Sequence, residues 1–100
     1  MAAYVIGHIT VKDADKWAEY RNRVPGTLAP WGAELVLRGK RTAVLSGQHN
    51  HTDTVVIRFP DPESVVRWYN SAAYQELIPL RTEAAEMELI SYESASPELP

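Results

Sequence analysis

An α+β fold with strands and helices in the order β-α-β-(β)-β-α-β is predicted by three observations in the sequence. Two runs alternate apolar and polar residues with β-branched enrichment, AYVIGHITV (3 to 11) and TVVIRF (54 to 59). Trp17, Tyr20, Val24, Leu28 and Trp31 recur at intervals of 3, 4, 4 and 3, one stripe of a helix. Asp61-Pro62-Glu63 then supplies a capping carboxylate, a proline for the first helical position and an acid for the first turn.

The remaining elements follow in order. Asp13 can cap the first helix, and Pro25 inside it predicts an end near Val24 followed by a kinked or separate turn up to Pro30-Trp31-Gly32. AELVLR (33 to 38), a Gly39-Lys40 turn or bulge, and TAVLS (42 to 46) read as two short strand pieces. A polar loop covers 47 to 53, and Pro60 ends the next strand. The helix opened by Asp61 runs to about Tyr69; Ser71 can cap a short helix over 72 to 78. MELISYE (87 to 93) is the last strand. This is the ferredoxin-like, or split-βαβ, arrangement: an antiparallel sheet with both helices on one face. One domain spans 1 to 94, and SASPELP suggests that 95 to 100 form a flexible tail.

Composition narrows the function classes. One hundred residues suit a single domain with a modest core, burying roughly 60 to 65% of the unfolded surface. The longest apolar runs fall far short of the ~18 residues of a spanning helix, and MAAYVIGHITV lacks the basic start of a secretory signal, so the cytoplasm is the expected location. Without cysteine there is no disulfide, thiolate catalysis or zinc-thiolate site. Net charge is -3, and the ten basic residues are dispersed rather than clustered, which argues against nucleic acid as a partner.

Parity along the strands assigns Val5, Ile9, Val11, Leu35, Leu37, Leu45, Val55, Ile57 and Phe59 to a uniformly apolar face that meets the helices. The opposite face holds Tyr4, His8, Glu34, Arg38, Thr54, Arg58, Glu88 and Tyr92 around an apolar row of Ile6, Val36, Val44, Val56 and Ile90. Such a row in a free sheet face wants cover. A homodimer through this face supplies it, and two facing sheets would enclose a cavity fit for a small organic ligand.

"YVIGHITVKD", "WAEYRNRVPGTLAPWGAELVLRG", "VVIRFPDPESVVRWYNSAAYQELIPLR" and "ELISYE" resemble the bacterial domain-of-unknown-function family numbered 1330, of the dimeric α/β-barrel superfamily. The resemblance covers about residues 3 to 93. It implies a homodimeric barrel related to cofactor-free monooxygenases, lactone isomerases and stress-responsive barrels, and no established activity. Where the family commonly carries an acid before the glycine of a VLEG-like strand end, this chain reads VLSG with Ser46, which lacks a base at that position if the acid serves as one in the family; a Gly-Gly step is replaced by Gly32-Ala33.

Candidate site residues carry two readings each. Tyr74 and Arg81 either pack, with Arg81 paired to Glu76 or Glu83, or point into a cavity to hold an anion, since a guanidinium fork matches a carboxylate. His8 is a wall residue or an acid/base. Arg58 is paired with Glu34 or Glu88 or clamps an anionic ligand, with Tyr4 and Tyr92 lining the same face. His49 and His51 lack a third ligand, so no metal is expected, and no cofactor motif is present. A haem at His8, as in barrel relatives that degrade haem, is a weaker alternative. The leading reading is a homodimeric barrel that binds a small organic, anionic molecule and extends to cofactor-independent proton transfer, isomerisation or oxygenation on it; the alternative is a non-catalytic dimeric binding or interaction module.

Overall fold

The computed structural model describes residues 1–95. Its elements are β1 (Ala3–Val11), α1 (Ala14–Leu28), a 3-10 turn (Ala29–Trp31), β2 (Glu34–Lys40), β3 (Asp53–Phe59), α2 (Pro62–Tyr69), α3 (Ala72–Gln75), α4 (Ile78–Ala84) and β4 (Ala85–Glu93). The four strands form one antiparallel sheet in the order β2-β3-β1-β4. This is the predicted ferredoxin-like arrangement, with the helices gathered on one face. The expected tail, Ala95 apart, lies outside the described residues.

Strand β1 sits at the centre of the contacts and shows why the sheet has two unlike faces. Its odd residues Ala3, Val5, Gly7 and Ile9 are buried, and its even residues are only partly so. Helices and sheet meet over a core whose largest fully buried side chains are Trp68, Tyr74, Phe59, Ile9 and Leu77. Gly7 allows the close approach of neighbouring strands, because a Cβ there would stand 2.8 Å from Val55 Cγ1. The Trp68 indole donates to Thr27 Oγ1 at 3.0 Å, and that hydroxyl donates to Val24 O at 2.7 Å. Both polar groups are thereby satisfied within the core, which avoids the cost of about 1–3 kcal/mol for a buried group left unpaired.

Four local expectations change. First, α1 continues through Pro25 to Leu28 rather than ending at Val24. Proline removes only the bond to the Arg21 carbonyl, on an exposed stretch that water can reach, while Val24, Thr27 and Leu28 gain burial by staying helical. Second, the short helix after Ser71 stops at Gln75, and Pro79 opens α4 instead of closing α3. A proline in the first turn loses nothing, because that N–H has no intrahelical partner.

Third, Thr42–Ser46 is not a strand here; β2 runs through Gly39 to Lys40, and the following segment is exposed, with a bend at Ser46 and no strand pairing among the described residues. Fourth, the pairing of β2 with β3 shifts between Leu35 and Leu37. Leu35 stands opposite Ile57, but Leu37 stands opposite Val56 and Arg38 opposite Val55. Val36 is the extra residue of a bulge, and a one-residue slip exchanges the faces of all that follows. Leu37 therefore joins the open face in place of Val36, and Arg38 leaves that face for the helix side, beside Arg21, whose positive charge adds to burial in lowering the Arg38 pKa.

Candidate functional site

The register sorts the open face of the sheet into three cross-strand rows. Glu34, Arg58, Tyr4 and Tyr92 form the first; Leu37, Val56, Ile6 and Ile90 the second; Gly39, Thr54, His8 and Glu88 the third. An apolar stripe thus lies between two polar ones. Arg58 has Glu34 and Tyr4 as lateral neighbours, but among the described residues no carboxylate lies within 4 Å of it, so the expected ion pair with Glu34 or Glu88 is absent.

Glu88 turns instead to His51, whose Nε2 lies 3.3 Å from its carboxylate; the other ring nitrogen, Nδ1, lies 2.9 Å from Thr10 Oγ1. His49 packs edge-on against both His8 and His51, at ring-centroid distances of 5.1 and 5.7 Å. The polar loop is thus folded back onto the third row, around a pocket of ≈ 250 Å³ lined by His8, Lys40, His49, His51 and Thr54. Among the described residues no three His, Asp or Glu side chains are arranged to hold a metal ion.

Tyr74 and Arg81 occupy the other side of the sheet. The break at Asn70-Ser71, capped by Ser71 Oγ accepting from Tyr74 N at 3.3 Å, turns α3 inward and buries Tyr74 completely. The second break, at Leu77 before Pro79, lets α4 bring Arg81 back over it, and Arg81 Nη1 donates to the Tyr74 hydroxyl at 2.9 Å. That hydroxyl shares a 2.7 Å hydrogen bond with the hydroxyl of Tyr20 from α1. Burial, and then the neighbouring Tyr74, pushes the Tyr20 phenol far above its ordinary range. For Arg81, burial pulls downward, but contacts with Tyr74, Tyr69 and Tyr20 outweigh it and the net direction is up. The guanidinium is a firmly held cation.

Neither acid expected for Arg81 is its partner: Glu83 pairs with Lys16 at 3.1 Å, and no described carboxylate is within 4 Å of Arg81. The half-buried guanidinium instead borders a cleft of ≈ 360 Å³ lined by Val65, Trp68, Tyr69, Asn70, Arg81 and Leu89. Apolar walls with one uncompensated cation suit an organic anion. His8 and Tyr74, both candidates for catalysis, thus lie on opposite sides of one sheet. Sequence reasoning missed Tyr20 and Tyr69. The signal for Tyr20 was its hydroxyl: a tyrosine on a buried helical stripe needs a polar partner that a phenylalanine would not.

Comparison with known proteins agrees with the fold. A family model described as Domain of unknown function (DUF1330) matches residues 2–95. No curated protein is a match. Among solved structures, RPA0582 of Rhodopseudomonas palustris, a protein of unknown function, superposes with a TM-score of 0.80 at 16% identity over 96% of this chain and 84% of that one. A dimeric ferredoxin-like protein of unknown function from Jannaschia sp. gives 0.73 at 10% identity over 94% and 100%. SnoaB, a cofactor-independent oxygenase from Streptomyces nogalater, gives 0.66 at 11% identity over 97% and 96%.

Proposed function

The chain belongs to the DUF1330 family, and from that premise we propose that it is a homodimer, closed through the open face of its sheet, that binds a small organic anion against Arg81 and stabilises negative charge on it without a cofactor. The observation that carries the ligand is the Arg81 guanidinium itself, half-buried at a cleft of ≈ 360 Å³ with no described carboxylate within 4 Å. A partly desolvated cation without a counter-ion is stabilised by an incoming anion. The Tyr74 hydroxyl holds the guanidinium in place and does not line the cleft, so Tyr74 is a positioning residue.

The chemistry follows from the charge. A cation that holds a carboxylate also stabilises an enolate or phenolate, the anion through which both cofactor-free proton transfer and cofactor-free oxygenation pass. Likeness to SnoaB supports this class at the level of fold. The dimer draws support from the apolar row Leu37, Val56, Ile6 and Ile90 and from the likeness to a dimeric protein.

The test is a thermal-shift series with small aromatic and aliphatic carboxylates and phenols on the wild-type chain and on Arg81→Met. A ligand at 100 times its dissociation constant adds about 2.7 kcal/mol of stability. Carboxylates that stabilise the wild type and not the variant support the site; equal shifts in both overturn it. Binding without turnover of any bound compound would make the protein a binding module.

A second reading has its own observation in the ≈ 250 Å³ pocket beside His8. There His8 would exchange a proton with a ligand enclosed between the two sheets, with Arg58, Tyr4 and Tyr92 along the same face holding its charge and ring. Loss of ligand response in His8→Gln with an unchanged response in Arg81→Met would favour this reading.

A further inference from the structure

A second cavity, of ≈ 80 Å³, lies between α1 and the sheet, with Ile9, Ile57, Trp17, Val24 and Met87 among its walls. Ile9 and Ile57 are buried, whereas Arg21 and Arg38, which also line it, are exposed, so the cavity runs from an apolar floor to a cationic rim. A benzene ring occupies an apolar cavity of about 150 Å³, so a space half that size takes an alkyl group of roughly three or four carbons.

The local sequence puts both arginines on this rim without a partner. Along α1 the residues three and four away from Arg21 are Trp17, Ala18, Val24 and Pro25, none of them acidic, whereas Arg23 on the same helix meets Glu19 at 3.8 Å. Arg38 reaches the helix side only through the bulge at Val36, a device that re-aims the side chains after it. Burial, and then the charge of Arg21, lowers the Arg38 pKa. Among the described residues no carboxylate lies within 4 Å of either guanidinium. Asp53, the one acid in the lining, accepts from Thr52 Oγ1 at 2.8 Å, and two cations against this single carboxylate leave the rim positive. Like charges held side by side repel, and an anion between them removes the repulsion.

We propose that Arg21 and Arg38 form a second anion site, which takes the carboxylate of a short aliphatic acid while its alkyl group fills the apolar floor beneath α1. The site goes beyond the reading given above and does not rest on it. Trp68 and Leu89 line both this cavity and the Arg81 cleft, but the two share no charged residue. The bulge in β2 thereby gains a role: it delivers the second cation.

The probes are isovalerate and its neutral counterpart isopentanol, titrated into the full chain and followed by the Trp17 indole and the Val55 and Ile57 amide resonances. Isovalerate is expected to shift these signals saturably and to bind at least about fivefold more tightly than the alcohol. Arg21→Gln and Arg38→Gln, both at exposed positions, are each expected to raise the isovalerate dissociation constant about fivefold, as for loss of an exposed ion pair, with the circular-dichroism spectrum unchanged. Arg81→Met is expected to leave it unmoved. No saturable shift with isovalerate, or equal affinities for acid and alcohol, overturns the site on the wild-type chain alone. Affinity retained in both glutamine variants and lost in Arg81→Met also overturns it, and assigns the carboxylate to the Arg81 cleft.

Discussion

Tyr74 and Arg81 sit on two separate short helices, and the guanidinium of one donates to the buried hydroxyl of the other at 2.9 Å. The same hydroxyl serves Tyr20 at 2.7 Å. Packing and the proposed site are therefore compatible for this segment. The helix breaks at Asn70-Ser71 and at Leu77 fold the chain so that one buried tyrosine fixes the position of one cation at the cleft.

Tyr74→Phe is consequently expected to destabilise. It leaves the buried Tyr20 hydroxyl without its hydrogen-bond partner, a loss of about 1–3 kcal/mol, or several degrees in Tm for a domain of this size. Affinity for a carboxylate found by screening should fall as well, because Arg81 loses its orienting acceptor. A variant with wild-type Tm would mean that Tyr20 finds another acceptor, and that the network is weaker than its distances suggest.

Ser71→Ala removes the side chain that accepts from Tyr74 N and donates to Trp68 O. Loss of this cap should cost about 1 kcal/mol. Chemical denaturation measures it directly, and an unchanged midpoint would show that α3 is held by Tyr74 burial alone.

Val56→Lys tests the open face. Val56 lies in the central apolar row between Leu37 and Ile6, so a lysine there would be desolvated in the proposed dimer but reaches water in the monomer. The variant should sediment as a folded monomer at concentrations where the wild type is dimeric. A variant that stays dimeric would move the interface elsewhere.

Much of this arrangement was legible in the sequence because its signals are local. AYVIGHITV and TVVIRF mark their strands by alternation, and Asp61 caps α2 as its position before Pro62 suggests, accepting from Ser64 N at 2.7 Å. What escaped depends on the relation between distant segments. In Leu35-Val36-Leu37 three apolar residues in a row carry no phase, so nothing local announces the bulge that sends Arg38 to the helix side. Pro79 is read as a stop or a start according to what precedes it, and only the packing of Leu77 and Tyr74 decides. Tyr20 and Tyr74 are 54 residues apart, and a hydroxyl's partner at that separation has no sequence signature. His49 and His51 looked isolated because the return of their loop onto His8 and Glu88 is likewise a tertiary event.

Gly7→Ala tests the closeness of the central strands. An added Cβ would lie 2.8 Å from Val55 Cγ1 and 3.2 Å from Leu89 Cδ2. Val55 is β-branched and has little rotameric freedom to yield, so the sheet itself must shift, at about 1–3 kcal/mol. Equal stability of variant and wild type would show that β1 and β3 separate more easily than their register implies.

Alkaline pH should weaken the fold through Tyr20. Its folded-state pKa is raised, first by burial and then by Tyr74, while in the unfolded chain a tyrosine ionises near about 10. Below that value both states keep the proton and the shift contributes nothing. Above it the unfolded state releases a proton that the folded state retains, so unfolding becomes progressively more favourable as pH rises. Tyr20→Phe abolishes this term, and although it removes a buried hydrogen bond at neutral pH, its stability should decline less steeply than that of the wild type between about pH 9 and 11. Urea denaturation of both chains across that range gives the two slopes. Parallel slopes would show that Tyr20 ionises in the folded protein as readily as in the unfolded one, and the buried Tyr20–Tyr74–Arg81 chain would then be open to solvent.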